Sequence, residues 1–363
     1  MVLEMGCFQT KLKSMPEEGS EGERRHSGSK TYSWDHRKRE INPKGYTVEN
    51  LKGQTVGRAP GTVNGQQFII QNCEDSNIYI FDHLNTVTVD DCNNCNIFLG
   101  PTKASIFLRD CKDCRVAAIC QQLRTRDCHR VDCFLCCATQ PSIESSSEMR
   151  FGCLCISYKQ LEDQFKYACL SPFNNNWQHV YDFTPDSVEP NWTLFPHDVR
   201  MEDFLPVPAT PELSSVLLSM DPGTSAVPRT PSPSERLTGD KQRCLVVFFS
   251  DGQSQQRAVS FIREMEKTPN TLVRTLEVAI TEQDAQRIFG TDSYAKVARS
   301  GPVIAAEYAG SDCIKSCQEI AKAIATDTGS TGMVYVSSHS RFASQQLETL
   351  FSITASFNPY PGA

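Results

Sequence analysis

The sequence has no concentrated basic stripe and no apolar run long enough to span a bilayer. Its formal net charge is -7 and its isoelectric point is near 5.6. Because phosphate backbones are bound by concentrated positive charge, we expect no nucleic-acid partner. The segment from Met1 to Thr10 also lacks the apolar stretch of an export signal, which predicts a cytosolic protein.

Cysteine, by contrast, is abundant. The chain has 17 cysteines, and most of them fall between Cys73 and Cys155. An odd total does not suit complete disulfide pairing, and no export signal points to an oxidising compartment. We therefore predict reduced thiols.

The length of 363 residues predicts two domains joined by connecting segments. Residues 11–30 hold almost no apolar side chain, so they cannot bury enough surface to offset the entropy of ordering. Proline, serine and threonine dominate the stretch after Leu205. The predicted organisation is a flexible acylated tether (1–30), a β-helix domain with flanking segments (31–205), a Pro/Ser-rich linker (206–242) and an α/β domain (243–363).

A repeat lies between about Gly65 and Cys155. Three cysteines recur at intervals of 19 residues, each after an Asn or Asp: Cys73, Cys92 and Cys111. The same register aligns short runs of alternating apolar residues: Phe68–Ile80, Val87–Leu99 and Ile106–Ala118. Self-similarity near 20 residues is typical of solenoids, and no leucine-rich frame recurs. We predict a right-handed parallel β-helix.

The cysteine spacing also allows a zinc site. Two pairs with two intervening residues match a four-thiolate template: Cys92 with Cys95, and Cys111 with Cys114. Stacked small hydrophobic residues inside a coil explain all the rungs at once, including Cys73, whose expected partner position is Ser76. We favour that interpretation and predict no metal site.

From about Cys244 the pattern changes to strands that alternate with helices. The predicted strands are Cys244–Phe249, Leu272–Ile280, Pro302–Tyr308 and Met333–Ser338. The predicted helices are Gln253–Lys267, Glu282–Phe289, Cys313–Ala325 and Ser344–Ile353. This alternation predicts an α/β layer fold of the ferredoxin-like kind.

The N-terminal run Met5-Gly6-Cys7-Phe8-Gln9-Thr10 fits the N-myristoylation pattern, with Cys7 as a palmitoylation candidate. The pattern requires Gly6 to become the first residue, by a start at Met5 or by removal of the residues before it. A chance Met-Gly pair is the alternative. One myristoyl chain binds membranes weakly, so the second acyl chain at Cys7 would be needed for stable anchoring.

A polar stretch interrupts the apolar alternation at Gln121-Gln122-Leu123-Arg124-Thr125-Arg126-Asp127. Arg124 is either a surface arginine paired with Asp127 or Glu144, or a functional group presented by the solenoid. Charge alone does not decide between these interpretations.

The run from Gln121 to Cys128, together with Ile143-Glu144-Ser145-Ser146-Ser147 and Arg150-Phe151-Gly152, resembles the domain of tubulin-folding cofactor C. Further segments extend the resemblance over nearly the full length to a family in which this domain is followed by an α/β domain: Tyr32–Asp35, Thr55–Arg58 and the Met-Gly-Cys-Phe start.

This resemblance implies a GTPase-activating protein for an Arf-like small GTPase in its GTP form. The implied arginine finger is Arg124, with Gln121 and Glu144 as the other catalytic residues. The implied nucleotide-facing residues are Ala104, Ser105, Gln121, Gln122, Leu123 and Arg124. Phe183 is the implied GTPase contact. The protein needs no cofactor of its own, because GTP and Mg²⁺ are held by the partner.

The C-terminal domain resembles nucleoside diphosphate kinase through Gly301–Ala305 and through His339, which matches the phosphoryl-accepting histidine. The first strand is not followed by the lysine of that family, and the segment before Met333 is too short for its nucleotide-holding loop. Without a phosphate clamp a lone histidine supplies little catalysis, so we expect no independent kinase reaction.

The resemblance also implies a place and a role: a monomer anchored to the cytoplasmic face of the plasma membrane at the ciliary base or cilium, acting in transport of lipidated proteins. Two alternatives remain. One is a scaffold that binds the GTP-loaded GTPase without accelerating hydrolysis, and the other is a tubulin-folding cofactor. The N-terminal acylation pattern disfavours the second, since tubulin is a soluble heterodimer.

Overall fold

The computed structural model describes residues 45–196, 198–208, 210–232 and 242–353. The predicted tether over residues 1–30, with Gly6 and Cys7, lies outside these ranges. Within them, no helix combines the length and the apolar character needed to cross a membrane.

The N-terminal half is a parallel β-helix. Its strands are β1 (Thr47–Glu49), β2 (Thr55–Arg58), β3 (Phe68–Glu74), β4 (Asn77–Ile80), β5 (Val87–Asn93), β6 (Asn96–Arg109), β7 (Arg115–Arg126), β8 (Asp132–Cys137), β9 (Ser142–Glu144), β10 (Met149–Cys153), β11 (Tyr181–Asp182) and β12 (Trp192–Leu194). They form two stacks that run along the coil. The first stack contains β1, β3, β5, the end of β6, the end of β7, β9 and β11. The second contains β2, β4, the start of β6, the start of β7, β8, β10 and β12.

The register between rungs follows the 19-residue repeat. Columns of directly opposed residues include Phe68, Val87 and Ile106 in the first stack, and Ile78, Ile97 and Val116 in the second. The predicted parallel β-helix is therefore confirmed. Its predicted right hand stays a prediction.

The corners of the coil explain the Asn or Asp before each repeated cysteine. Asn72, Asp91, Asp110 and Asp127 all have φ between 50° and 54°, in the left-handed region. Asn and Asp tolerate this conformation better than other residues with a Cβ. The cysteine that follows then points into the coil, where Cys73, Cys92, Cys111 and Cys128 are all at most 2% exposed.

A second apolar layer covers the outside of the second stack. Tyr79, Phe81, Phe98 and Phe134 pack there with α1 (Leu161–Tyr167). Side chains from the stretch predicted as a linker are buried in the same layer: Leu213, Val216, Met220 and Val227. The part of this stretch that the structure describes is therefore packed on the β-helix.

The C-terminal part contains α2 (Ser254–Met265), α3 (Glu282–Phe289), α4 (Ala295–Ala298), α5 (Cys313–Asp327) and α6 (Ser340–Ser352). Its strands are β13 (Gln242–Phe248), β14 (Thr271–Val278), β15 (Val303–Gly310) and β16 (Val334–Val336), in the antiparallel order β14-β15-β13-β16. Alternate residues of β13 face opposite sides: Val246 packs with Phe261 of α2, and Val247 packs with Leu347 of α6. Helices on both faces explain why β13 is almost wholly apolar.

A short loop of the β-helix part contacts this α/β unit. Phe173 is fully buried in the core formed by β13, β15 and α2. The next residue, Asn174, donates to the Glu277 carbonyl at 3.0 Å and accepts from the Glu277 amide at 2.7 Å. The Asn174 carboxamide thus forms backbone hydrogen bonds along β14 in place of a further strand.

Candidate functional site

Arg124 lies near the end of β7, where strand alternation separates inward from outward side chains. Leu123 and Thr125 point into the coil, whereas Gln122, Arg124 and Arg126 point out of it. The predicted nucleotide-facing role of Leu123 is therefore not supported by its position, because its side chain is fully buried in the β-helix core. Leu123 instead fixes the strand from which Arg124 projects.

The rung register places Arg124 in a row that crosses four strands. Phe107 of β6 lies opposite Arg124, Arg124 lies opposite Ser142 of β9, and Ser142 lies opposite Tyr181 of β11. Since parallel rungs keep facing side chains on one surface, these four residues share the outer face of the first stack.

Arg124 is exposed, and its side chain has no hydrogen bond, ion pair or ring contact with any residue that the structure describes. Its neighbours in the adjacent row are engaged. The Arg109 guanidinium lies 5.5 Å from the ring centroid of Phe107, and Arg126 Nε lies 3.2 Å from a carboxylate oxygen of Asp127. The alternative in which Arg124 is a surface arginine paired with Asp127 or Glu144 therefore does not match these contacts.

Glu144 was predicted as a catalytic residue beside Arg124. The structure places it opposite Arg126, one residue along β9 from Ile143, which lies opposite Thr125. Glu144 is exposed, and its backbone carbonyl accepts from Ser146 Oγ at 2.8 Å. Glu144 and Arg124 are thus on the same face in neighbouring rows without a direct contact.

The other predicted residues of the nucleotide-facing set lie around the same groove. Ser105 is opposite Gln122, with their side-chain oxygens 3.5 Å apart, and Ala104 donates its amide to the Asn85 carbonyl at 2.8 Å. The Gln121 carbonyl accepts from both the amide and the hydroxyl of Thr139, at 3.0 and 2.8 Å. These backbone contacts fix the groove wall on the coil.

The groove gathers positive charge in an acidic chain. Its lining includes four cations, Lys103, Arg109, Arg124 and Arg126, and one carboxylate, Glu144. These cations come from two rungs, which is why no basic stripe is visible in the linear sequence. A groove of this charge suits a phosphate-bearing ligand.

An aromatic pair borders the groove at its far edge. Tyr181 and Phe183 are 50% and 62% exposed, and their rings meet edge to face with centroids 4.7 Å apart. The Phe183 amide donates to the Ile143 carbonyl at 2.9 Å, which continues the strand pairing beyond β11. Tyr181 was not predicted, although its i, i+2 spacing from Phe183 on a strand would have placed both on one face.

The thiols beneath this face are buried. Cys120 and Cys137 face each other with sulfur atoms 3.7 Å apart, and this contact together with burial raises the pKa of Cys120 well above its usual value. Burial likewise raises the pKa of Cys133. Thiols of raised pKa are poor nucleophiles, so these side chains contribute packing.

The cysteines of the zinc template lie inside the coil. Cys95, Cys111 and Cys114 donate their S–H groups to backbone carbonyls two residues earlier, with distances of 3.2 to 3.3 Å. Among the described residues, no group of three or more His, Cys, Asp or Glu side chains has an arrangement that could hold a metal ion.

In the α/β unit, His339 is exposed at the residue before α6, with its ring 6.3 Å from that of Phe342. The residues after β13 are Phe249, Ser250 and Asp251. Asp251 accepts a hydrogen bond from Arg257 at 2.6 Å.

Comparison with known proteins covers both halves. A family model described as "Tubulin binding cofactor C" matches residues 65–183, which include Arg124 and Phe183. "Protein XRP2" of Homo sapiens is 46% identical over 350 residues, which cover 96% of this chain and 98% of that protein. The chain belongs to the XRP2 family. The XRP2 of Gallus gallus is 44% identical over 359 residues, with 96% and 98% covered.

More distant relatives share only part of the chain. "Tubulin-folding cofactor C" of Arabidopsis thaliana is 34% identical over 82 residues, or 22% of this chain and 24% of that protein. The solved structure "Tubulin Binding Cofactor C from Leishmania major" is 26% identical, covers 43% of this chain and 97% of its own, and gives a TM-score of 0.29. The resemblance expected from the sequence, a cofactor C domain within a full-length XRP2 match, is confirmed.

Proposed function

We propose that this chain is a GTPase-activating protein for an Arf-like small GTPase, to which it supplies Arg124 in trans. The observation that carries the proposal is the state of Arg124: an exposed guanidinium on a rigid strand, with no partner among the described residues. An arginine kept free at this position is available to a ligand that the chain itself does not contain.

The chemistry of GTP hydrolysis explains why an arginine would be presented in this way. Negative charge develops on the γ-phosphoryl oxygens in the transition state, and an inserted guanidinium stabilises it by about 10³ to 10⁵ in rate. GTP and Mg²⁺ are held by the partner GTPase. The cations of the groove, Lys103, Arg109 and Arg126, support the approach of a phosphate-bearing surface.

The remaining residues have supporting roles in this scheme. Gln121 and Gln122 face the nucleotide or the switch regions of the GTPase, and Ala104 and Ser105 form the wall beside them. Glu144 orients the arginine once the partner is bound. Phe183, together with Tyr181, forms an apolar contact with the GTPase surface.

The test is single-turnover GTP hydrolysis by a panel of Arf-like GTPases with the wild-type chain and with Arg124→Ala, alongside binding of the GTP-loaded forms. We expect the rate to fall by about three orders of magnitude while binding persists. Arg130→Ala is the matched control, because Arg130 is an exposed β-helix arginine that does not line the groove. Tight binding without acceleration by the wild type would replace this proposal with a non-catalytic scaffold.

A tubulin-folding role is the second candidate. It is favoured by the names of the partial relatives and by the family model over residues 65–183. The same arginine could act on GTP bound to tubulin. Hydrolysis by tubulin in the presence of the other folding cofactors, stimulated by wild type and not by Arg124→Ala, would support this role.

The expected membrane attachment belongs to the same proposal. Acyl chains at Gly6 and Cys7 would hold a monomer on the cytoplasmic face of the plasma membrane, at the ciliary base or cilium, where it would act in transport of lipidated proteins. Mass spectrometry of the mature N-terminus tests this, since an unmodified Met1 or an acetylated Met1 would exclude acylation at Gly6.

The α/β unit is proposed to be ferredoxin-like and related to nucleoside diphosphate kinase. Its support is the strand order β14-β15-β13-β16, in which β15 separates the two strands of a βαβ unit. Asp251 and Arg257 follow the first strand in place of a phosphate-clamping lysine, so we expect no kinase reaction at His339.

A further inference from the structure

A hydroxyl followed directly by proline is the acceptor pattern of proline-directed protein kinases. Within the described residues this pattern occurs at Ser171, Thr184, Thr210, Thr230, Ser232 and Thr268. Thr230 and Ser232 are 4% exposed, and Ser171, Thr210 and Thr268 are partly buried. Thr184 is the one member of this set that is exposed.

The loop around Thr184 has the form that a kinase needs. Every residue from Phe183 to Pro190 is exposed, and none belongs to a helix or strand. A kinase must draw several residues of its substrate into an extended conformation in its cleft, which an irregular exposed loop permits without breaking regular structure.

Thr184 also anchors this loop to the β-helix. Its hydroxyl accepts from the Ser145 amide at 2.7 Å, and its own amide donates to Asp182 Oδ1 at 2.9 Å. Its carbonyl accepts from Asn191 Nδ2 at 2.9 Å. The residue held in place by these bonds is the neighbouring Phe183 at the edge of the cationic groove.

We propose that Thr184 is a phosphorylation site of a proline-directed protein kinase and that phosphate there occupies the cationic groove beside Phe183. The co-reactant is ATP with Mg²⁺. Thr184 Oγ1 attacks the γ-phosphorus, a new P–O bond forms, and the bond from the γ-phosphorus to the β,γ-bridging oxygen breaks. ADP leaves, and the hydroxyl proton passes to the catalytic carboxylate of the kinase.

The surroundings of Thr184 determine the consequence of the modification. A phosphothreonine carries a charge of about -1.5 to -2 at neutral pH. Thr184 lines the groove that contains Lys103, Arg109, Arg124 and Arg126, and the carboxylates near it are those of Glu144, Asp182 and Asp186. The groove cations attract the phosphate, which then occupies the groove and competes with a phosphate-bearing partner. This last consequence rests on the proposed GTPase partner, whereas the acceptor site does not.

The acceptor is tested by treating the full chain with a cyclin-dependent kinase or a mitogen-activated kinase and ATP, then mapping phosphate by mass spectrometry. We expect Thr184 to be occupied ahead of the other Ser-Pro and Thr-Pro sites. Thr184→Val should abolish that phosphopeptide, and Pro185→Ala, which keeps the hydroxyl, should lower its rate by at least about tenfold. Phosphate confined to other sites with both kinases would overturn the proposal.

The consequence is tested on phosphorylated and untreated chain. Affinity for GTP-loaded Arf-like GTPases should fall by about tenfold on phosphorylation. The ³¹P titration of the phosphothreonine should occur at lower pH in the wild-type chain than in Arg126→Ala, because a nearby cation favours the dianion. A titration at the lower pH without any GTPase binding in either sample would refute the proposed partner and leave the modification site standing. The same titration in both chains would refute the occupation of the groove.

Discussion

Two arginines of the β-helix, one on each stack, have opposite surroundings. Arg150 on the second stack forms two hydrogen bonds with Asp132, at 2.6 and 2.8 Å, and lies 4.7 Å from the ring centroid of Phe195. The guanidinium of Arg124 on the first stack has no hydrogen bond, ion pair or ring contact with a described residue. Arginine on a β-helix can be satisfied internally, as Arg150 is, whereas the side chain of Arg124 is left available for the proposed partner.

We expect substitutions of the two arginines to differ most in their effect on the rate of GTP hydrolysis. Arg124→Lys keeps the positive charge and loses the planar, two-pronged donor. We expect single-turnover GTP hydrolysis by the partner to slow by about 10² to 10³, nearly as much as with Arg124→Ala. Arg150→Lys should leave the rate within about twofold. A fully active Arg124→Lys would show that charge alone suffices and would argue against a bidentate finger.

The reverse ranking is expected for stability. Arg150→Ala removes both hydrogen bonds and the ring contact and leaves Asp132, whose side chain is 10% exposed, without its cation. The free energy of unfolding of the β-helix should fall by about 2 kcal/mol, whereas Arg124→Ala should change it by less than about 0.5 kcal/mol. Urea denaturation of both variants measures the difference. Equal losses would mean that Arg124 has an internal partner after all.

The sequence predicted columns of residues in both stacks because the repeat register is a local property. Columns such as Phe68, Val87 and Ile106 follow from the 19-residue period alone. The ion pair between Arg150 and Asp132 belongs to no sequence motif, and it depends on the register between β8 and β10. That register could not be predicted from the sequence.

The sequence analysis also missed contacts between residues that are far apart in the chain. Phe173 packs in the core of the α/β unit, and no periodicity signals a single aromatic residue that serves another domain. Proline and serine suggested a linker after Leu205, yet Leu213 and Val216 are buried on the aromatic layer of the second stack. A few apolar residues in a polar stretch suffice when a preformed apolar surface is available to them.

Within the site, most of the residues predicted from the sequence line the groove, but strand alternation turns one of them away from it. Leu123 was placed with its neighbours because the run from Gln121 to Arg124 was treated as one unit, and strand geometry turns it inward. The cationic groove was not foreseen, since Lys103 and Arg126 lie on different rungs. To predict a cluster of charges that spans several rungs, one must know the register of every strand involved.

A smaller effect is expected at the aromatic edge of the first stack. Phe183→Ala removes a 62% exposed ring that meets the ring of Tyr181, so folding should be unaffected. Affinity for the GTP-loaded partner should fall by about tenfold or more, as for an aromatic contact at an interface centre. Val188→Ala is the matched control, because Val188 is an 86% exposed apolar residue on the same loop. Equal affinities for both variants would remove Phe183 from the interface.

The smallest effect concerns a third arginine, Arg130, which binds Asp113 through two hydrogen bonds at 2.6 and 2.9 Å on the surface. These bonds lower the pKa of the Asp113 carboxyl below its usual value. The stabilisation from a lowered pKa is complete above the unfolded-state value of about 3.9 and is lost as the pH falls through the lower folded-state value.

Arg130→Ala should therefore raise the pKa of Asp113 toward its ordinary value and remove this pH-dependent contribution near pH 4, without changing GTP hydrolysis. NMR titration of ¹³C-labelled aspartate carboxyls measures the shift, with Arg124→Ala as the comparison that should leave Asp113 unchanged. An Asp113 pKa that is the same in wild type and Arg130→Ala would mean that the surface pair is too well solvated to hold its arginine. In that case, a guanidinium without a described partner would no longer distinguish Arg124 from other exposed arginines, and only the kinetic experiments could identify the finger.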